Sequence, residues 1–502
     1  MNHASKITDG SQKKLADAFA DRSKFIAYRA STIFPVLVTP DNDTVIVMMN
    51  YWAIKNKLFN VCCNLRVYNE SGDLVHIHHQ RIDKDHIQIS IKEVAALRDL
   101  KGMVEVEVIS LDNMSFSFPA VVAYYKSKDN YSVVHSAGRI RNPDEPYTPA
   151  YSCETNWSCK FCEDITPFFH VYNGPKANSV GKIRAQLLGP NNQLIEEVVF
   201  DPGISSPFSS RVVLADELFE AKNIPGESFI KVTLPNAESF PRMVVGNFHR
   251  PTNFLEATHS FKEVDFEDYC PDMKPGKSLL SFMSIMQPEE LDAEMVSFPT
   301  NSPSRAHVTA HVRKANDAIL ERTGEVLSWD AGSKADGIFV YRPNPLDKGV
   351  SLDFSEGRVP SRLNASYRFR VRNSSGKFST DIASGATSSV YPAKHSHWGH
   401  GIISADYETV VMLQNISHNP GATRIAKGKL TIYSDKFSAM SCDVEIKPEG
   451  VCFIYLKQAF GLGSSFKDGD FISWFANFDV PSVYCYWVSY TRDGRICGEH
   501  AF

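Results

Sequence analysis

The chain has little that would carry it into a membrane or onto a polyanion. None of its 502 residues belong to a run approaching the ~18 apolar residues of a spanning helix. Lys and Arg (53) are outnumbered by Asp and Glu (58), the net charge is −5, and no dense basic run occurs. Nucleic acid is therefore not expected as a partner. The opening residues, MNHASKITDGSQKKLADAFADRSKF, lack an apolar run followed by a small-residue cleavage site. No secretory leader is expected, and the ten cysteines read as free thiols in a reducing, cytoplasmic setting.

Familiar catalytic signatures are missing too. There is no GxSxG elbow and no HExxH. KPGKS (Lys274–Ser278) lacks the upstream Gly of a phosphate loop, where Pro271 stands, and GLGSS at 461–465 lacks the third Gly of a dinucleotide turn. These absences count against a nucleotide enzyme of familiar type, and whether the chain is an enzyme at all stays open at this point.

What is present is a repeat. Four stretches, starting at Thr44, Thr166, Glu294 and Thr409, each give an apolar strand, an Asn, a polar loop and a second alternating strand. The Asn residues are Asn50, Asn173, Asn301 and Asn415, spaced 123, 128 and 114 residues apart. Asn makes Asx-turns and tolerates the left-handed region, so these positions are expected to end strands. Downstream, three copies share a helical turn and then a strand of strict alternation: MVEVEVIS, SFIKVTLP and DFISWFAN. Period-two alternation marks half-buried, antiparallel strands. The third copy departs, with IFVYRPNPLDKG where the helical turn should be and extra residues through Val359–Ala383.

The expected fold is all-β: four tandem antiparallel β-sandwich modules, Ig-like or jelly-roll-like, after a short N-terminal helix. The expected boundaries are 1–30 for an amphipathic helical segment, 31–138 for module 1, 139–152 for a stiff Pro-rich linker and 153–262 for module 2. An acidic linker (263–277), a divergent module 3 (278–398) and module 4 (399–502) complete the chain. Modules 3 and 4, with almost no linker, are expected to pack directly on each other.

Each copy ends on a histidine: His135 in NYSVVHSAG, His259 in NFLEATHSF, His397 (or His395) in PAKHSHWGH and His500 in GRICGEHAF. From Asn to His the count is 85, 86, 96 (or 94) and 85 residues. Glu256 and Glu499 accompany two of them. If the modules close on one another, these ends converge, and imidazoles with a carboxylate suit zinc or iron. The plainer reading is a strand-end hydrogen-bonding device copied four times.

Three further constellations stand out. Cys153, Cys159 and Cys162 lie within ten residues and offer a weaker zinc set, or simply buried thiols. His76, His78 and His79 follow a hairpin and read as a chelating or merely polar face. Tyr484, Tyr486 and Trp487 on the last strand offer a sugar-stacking row, or ordinary core. The primary functional expectation is a non-enzymatic multi-module binding or scaffold protein without a cofactor. Its partner would be a protein or carbohydrate, with self-assembly as one option and neither nucleic acid nor membrane. The alternative is a metal-binding protein or metal-dependent enzyme with a His/Glu site between modules.

Overall fold

The architecture is seen in a computed structural model, which describes residues 28–112, 119–128, 130–142, 150–178, 180–236, 239–240, 242–263, 279–300, 306–313, 325–329, 337–344, 349–354, 362–375, 377–387, 395–415, 424–448, 450–462, 466 and 470–502. The first module holds β1 (Tyr28–Val38), β2 (Asp43–Met49), β3 (Val61–Asn69), β4 (Leu74–Arg81), β5 (His86–Ser90), β6 (Leu100–Ser110), β7 (Val121–Lys126) and β8 (Tyr131–His135). After β9 (Arg139–Ile140) the second holds β10 (Ala150–Thr155), β11 (Ile165–Tyr172), β12 (Ile183–Leu188), β13 (Leu194–Phe200), β14 (Ser210–Leu214), β15 (Phe229–Asn236), β16 (Ser239–Phe240), β17 (Val244–His249), β18 (Phe254–His259) and β19 (Phe261–Glu263). The third holds β20 (Leu279–Met286), β21 (Leu291–Phe298), β22 (Ala306–Arg313), β23 (Glu325–Trp329), β24 (Phe339–Tyr341), β25 (Gly349–Phe354), β26 (Arg362–Val371) and β27 (Thr380–Thr387). The fourth holds β28 (Ser396–Ile402), β29 (Glu408–Asn415), β30 (Ala426–Tyr433), β31 (Met440–Ile446), β32 (Val451–Tyr455), β33 (Phe471–Phe478), β34 (Val483–Tyr490) and β35 (Ile496–His500).

The fold is all-β and antiparallel. Setting aside the short β9, β16 and β19, every module has eight principal strands in one order. One sheet runs first, sixth, third, fourth; the other runs fifth, second, seventh, eighth. The divergent third copy keeps this order, so its sequence drift left the pairing intact. The helical turns follow the repeat: α1 (Tyr51–Ile54), α2 (Ile91–Val94) and α3 (Leu456–Phe460). Ser90 caps α2 by accepting from the Glu93 N–H, and Gly461, at φ +61°, closes α3.

The repeated Asn residues do the turn work expected of them. Asn50 caps α1 through the Ala53 N–H. The Asn173 amide donates to the carbonyls of Ile204 and Ser206 and accepts from the Val180 N–H. Asn415 donates to the carbonyls of Arg424 and Ile446 and accepts from the Ser482 hydroxyl. Asn301 lies outside the described residues.

Several expectations need correction. The N-terminal helix falls almost wholly outside the described residues, but residues 28–30 already belong to β1. The Pro-rich stretch is not all spacer, because β9 pairs with β16 of the second module. His397 lies in β28, the first strand of the fourth module, and pairs with Ala476. The acidic linker lies mainly outside the described residues. In β6 the alternation does not leave a wet face: Glu105 and Glu107 are buried, because Arg29 of β1 and Arg66 of β3 cover both carboxylates.

Modules far apart in sequence pack together. In β2, Ile46 and Met48 join the first module's own core, while Val45 and Val47 face a core shared with module 4. A strand buried on both faces reads as a continuous apolar run, which explains TVIVMM. Modules 3 and 4 do meet directly, with Tyr367 stacked on Tyr486 at 5.5 Å. The four eighth strands close a cycle, in which β8 packs on β18 and β35, and β27 packs on the same two.

Candidate metal centre

Register fixes which residues can meet at that cycle. In module 1 the residue three before the strand-ending Asn, Val47, pairs with Val122, which pairs with His135. In module 4 the same path runs from Met412 through Tyr486 to His500. In module 2 it reaches His259 through Val244. In module 3 it runs from Phe298 through Asn364 to Gly385. The third module's equivalent is thus a glycine, not His397 or His395.

The three equivalent histidines converge. His135, His259, His500 and Glu499 offer ligand atoms that all lie within 4.8 Å of one another, the one such group among the described residues. The His135 ring centroid is 4.5 Å from that of His259 and 4.5 Å from that of His500. Glu499 is 3% exposed, and burial alone would raise its carboxyl. The His135 and His500 imidazoles, with a hydrogen bond from His135, outweigh that and hold it down at about 2. One Glu499 oxygen lies 3.1 Å from His135 Nδ1, and the other accepts the His500 backbone N–H at 2.9 Å.

Neighbouring carbonyls set the ring orientations. His259 Nδ1 lies 2.9 Å from the Ser260 carbonyl and His500 Nδ1 lies 3.1 Å from that of Ala501. A carbonyl can only accept, so each Nδ1 carries the proton and each Nε2 carries the lone pair. His259 is 6% exposed and its Nε2 has no hydrogen-bond partner. Burial, then the charges of His135 and Arg242, push its imidazole well below the usual range, so it stays neutral. A neutral imidazole with an outer hydrogen bond to a carbonyl is a metal ligand in its binding form.

The remaining candidates lie elsewhere. Glu256 is three residues before His259, an odd step that turns it to the other side of the pleat. There it accepts from Lys160 Nζ at 2.6 Å and from the Ser379 hydroxyl at 3.0 Å, and meets His249 Nε2 at 3.0 Å. Burial would raise its carboxyl, but Lys160 and His249 hold it at about 2. Lys160 also donates to Ser379 at 2.8 Å, but its partner carboxylate keeps it an ammonium, so the pair is no Ser–Lys dyad. The adjoining cavity, lined by residues of all four modules, holds about 10 Å³, room for one water rather than a substrate.

His397 is buried in β28, and His395 is exposed beside the Phe478 carbonyl. Cys153 and Cys159 are buried and Cys162 is exposed. Burial pushes the Cys153 thiol up to about 12 and that of Cys159 higher still, which disfavours the thiolate that zinc requires. The strand with His76, His78 and His79 lies at a sheet edge, and His79 hydrogen-bonds Asn64. Tyr486 and Trp487 are fully buried and Tyr484 partly so, which rules out a stacking row open to sugars. Two groups give no signal in residue spacing: Arg242, near His259, and Gly385, visible only through strand register. No family model matches the chain, and no curated protein is similar to it.

Proposed function

We propose that the chain is a non-enzymatic scaffold whose modules are clasped by one zinc ion held by His135, His259, His500 and Glu499. The observation that carries this reading is the meeting of four ligand groups from three modules, with the His259 Nε2 buried and without a hydrogen-bond partner. Zinc bonds of 2.0–2.1 Å imply ligand atoms roughly 3.3 Å apart, so small side-chain rotations complete a tetrahedron. Four protein ligands leave no open position, and that is the mark of a structural rather than a catalytic zinc. Iron(II) in oxygen-activating sites instead keeps positions open. The ions of such a site link segments that the sequence separates by more than a hundred residues.

Elemental analysis of purified protein tests the reading. About one zinc per chain is expected, falling to near zero in His259→Ala and in His500→Ala. Wild-type protein without metal that also takes up none on zinc titration would end the proposal.

A further inference from the structure

We infer that the joint between the first and fourth modules is an acid-sensitive latch, formed by His86 and His400 on either side of the Ser473 hydroxyl. His86 comes from β5 of module 1, while His400 and Ser473 come from β28 and β33 of module 4. His86 Nδ1 lies 2.8 Å from the Ser473 oxygen and His400 Nδ1 lies 3.0 Å from it. A hydroxyl has one hydrogen, so it donates to one ring and accepts from the other. The two imidazoles therefore hold opposite tautomers. Both residues are buried, and neither Nε2 has a hydrogen-bond partner.

Protons disrupt this arrangement in two stages. The first puts a charge where water does not reach. The second leaves two N–H donors and the hydroxyl hydrogen facing a single oxygen. The charged group facing His86 is Asp435, with Asp83, Lys84 and Asp85 lining the same crevice beside Tyr433. The group facing His400 is His86 itself. Asp435 offsets part of the cost at His86 only. Burial holds His86 down at about 4 and His400 at about 3.

The direction follows from linkage. Each histidine binds a proton more tightly once the modules part, so stability is lost as pH falls below the ordinary value near 6.5. By pH 4.5 each shifts the balance toward the parted state by roughly fiftyfold or more. Other contacts in the joint are apolar or neutral: Tyr124 lies 4.3 Å from Phe471, and the Phe471 N–H donates to Gln88. Parting therefore exposes aromatic surface.

Hydrogen exchange on the full chain, kept in chelator throughout and corrected for intrinsic rate, tests this. In wild type, peptides covering β5 and β33 should be protected at pH 7 and lose at least tenfold protection at pH 4.5. In the His86→Gln/His400→Gln variant that loss should disappear. Equal protection at both pH values in wild type, or the same loss in the variant, overturns the inference. Should the double variant not fold at pH 7, Ser473→Ala keeps both rings but removes their shared partner. The loss should then begin at higher pH, and an unchanged pH midpoint overturns the inference as well.

Discussion

The Glu499 carboxylate accepts the backbone N–H of His135 at 3.2 Å, a bond that spans 364 residues of chain. The same oxygen is 3.1 Å from the His135 ring. One side chain thus orders both the backbone and the imidazole of a distant module. Glu499→Ala should cost about 1–3 kcal/mol even in chelator, because it leaves a buried N–H without an acceptor. Thermal melts with zinc and with chelator separate the two roles. The zinc-dependent rise in Tm should vanish in His259→Ala and shrink in Glu499→Ala.

Glu256 gives a different pH signature from that of the histidine latch. Its folded carboxyl titrates near 2, below the ordinary glutamate value. Its contribution is therefore complete above about pH 4.5 and is lost as pH falls toward 2. Glu256→Gln strands the Lys160 ammonium and should cost about 3–5 kcal/mol at pH 7. Denaturant titrations at pH 7 and pH 3 check this, and the gap between variant and wild type should narrow at the lower pH.

The repeated Asn residues should be equivalent in energy as well as in position. Asn173→Ala and Asn415→Ala each orphan several buried backbone groups, and each should cost about 2–4 kcal/mol. Urea midpoints measured on the full chain provide the check. A cost below 0.5 kcal/mol in both would mean that solvent satisfies those groups instead.

Trp487 should behave as a packing residue. It is fully buried, so Trp487→Ala should lower stability by about 3–5 kcal/mol. Glycan-array binding, if any, should survive in whatever fraction stays folded.

The sequence carried the module-end histidines because duplication preserved both residue type and distance from the Asn. It did not carry Gly385, since an insertion moved the third module's histidines out of register and into the next strand. Only the pairing of Phe298, Asn364 and Gly385 exposes the substitution. Glu256 misled for a related reason: proximity in sequence ignores the pleat. The aromatic row and Glu105 with Glu107 misled because their burial comes from other modules or from long arginines, which no local period records. His86 and His400 were invisible for the same reason, being 314 residues apart and joined only through Ser473.

The cycle of eighth strands has a kinetic consequence. Module 1 reaches module 4 only after the two between them have formed, so the last closure joins surfaces with a large loop between them. Until then both surfaces are exposed and complementary, and a second copy can occupy either one. Closure within one chain competes with exchange between chains, and protein concentration decides the outcome. A dimer fraction that rises with refolding concentration, and persists after dilution, is the expected trace of that competition.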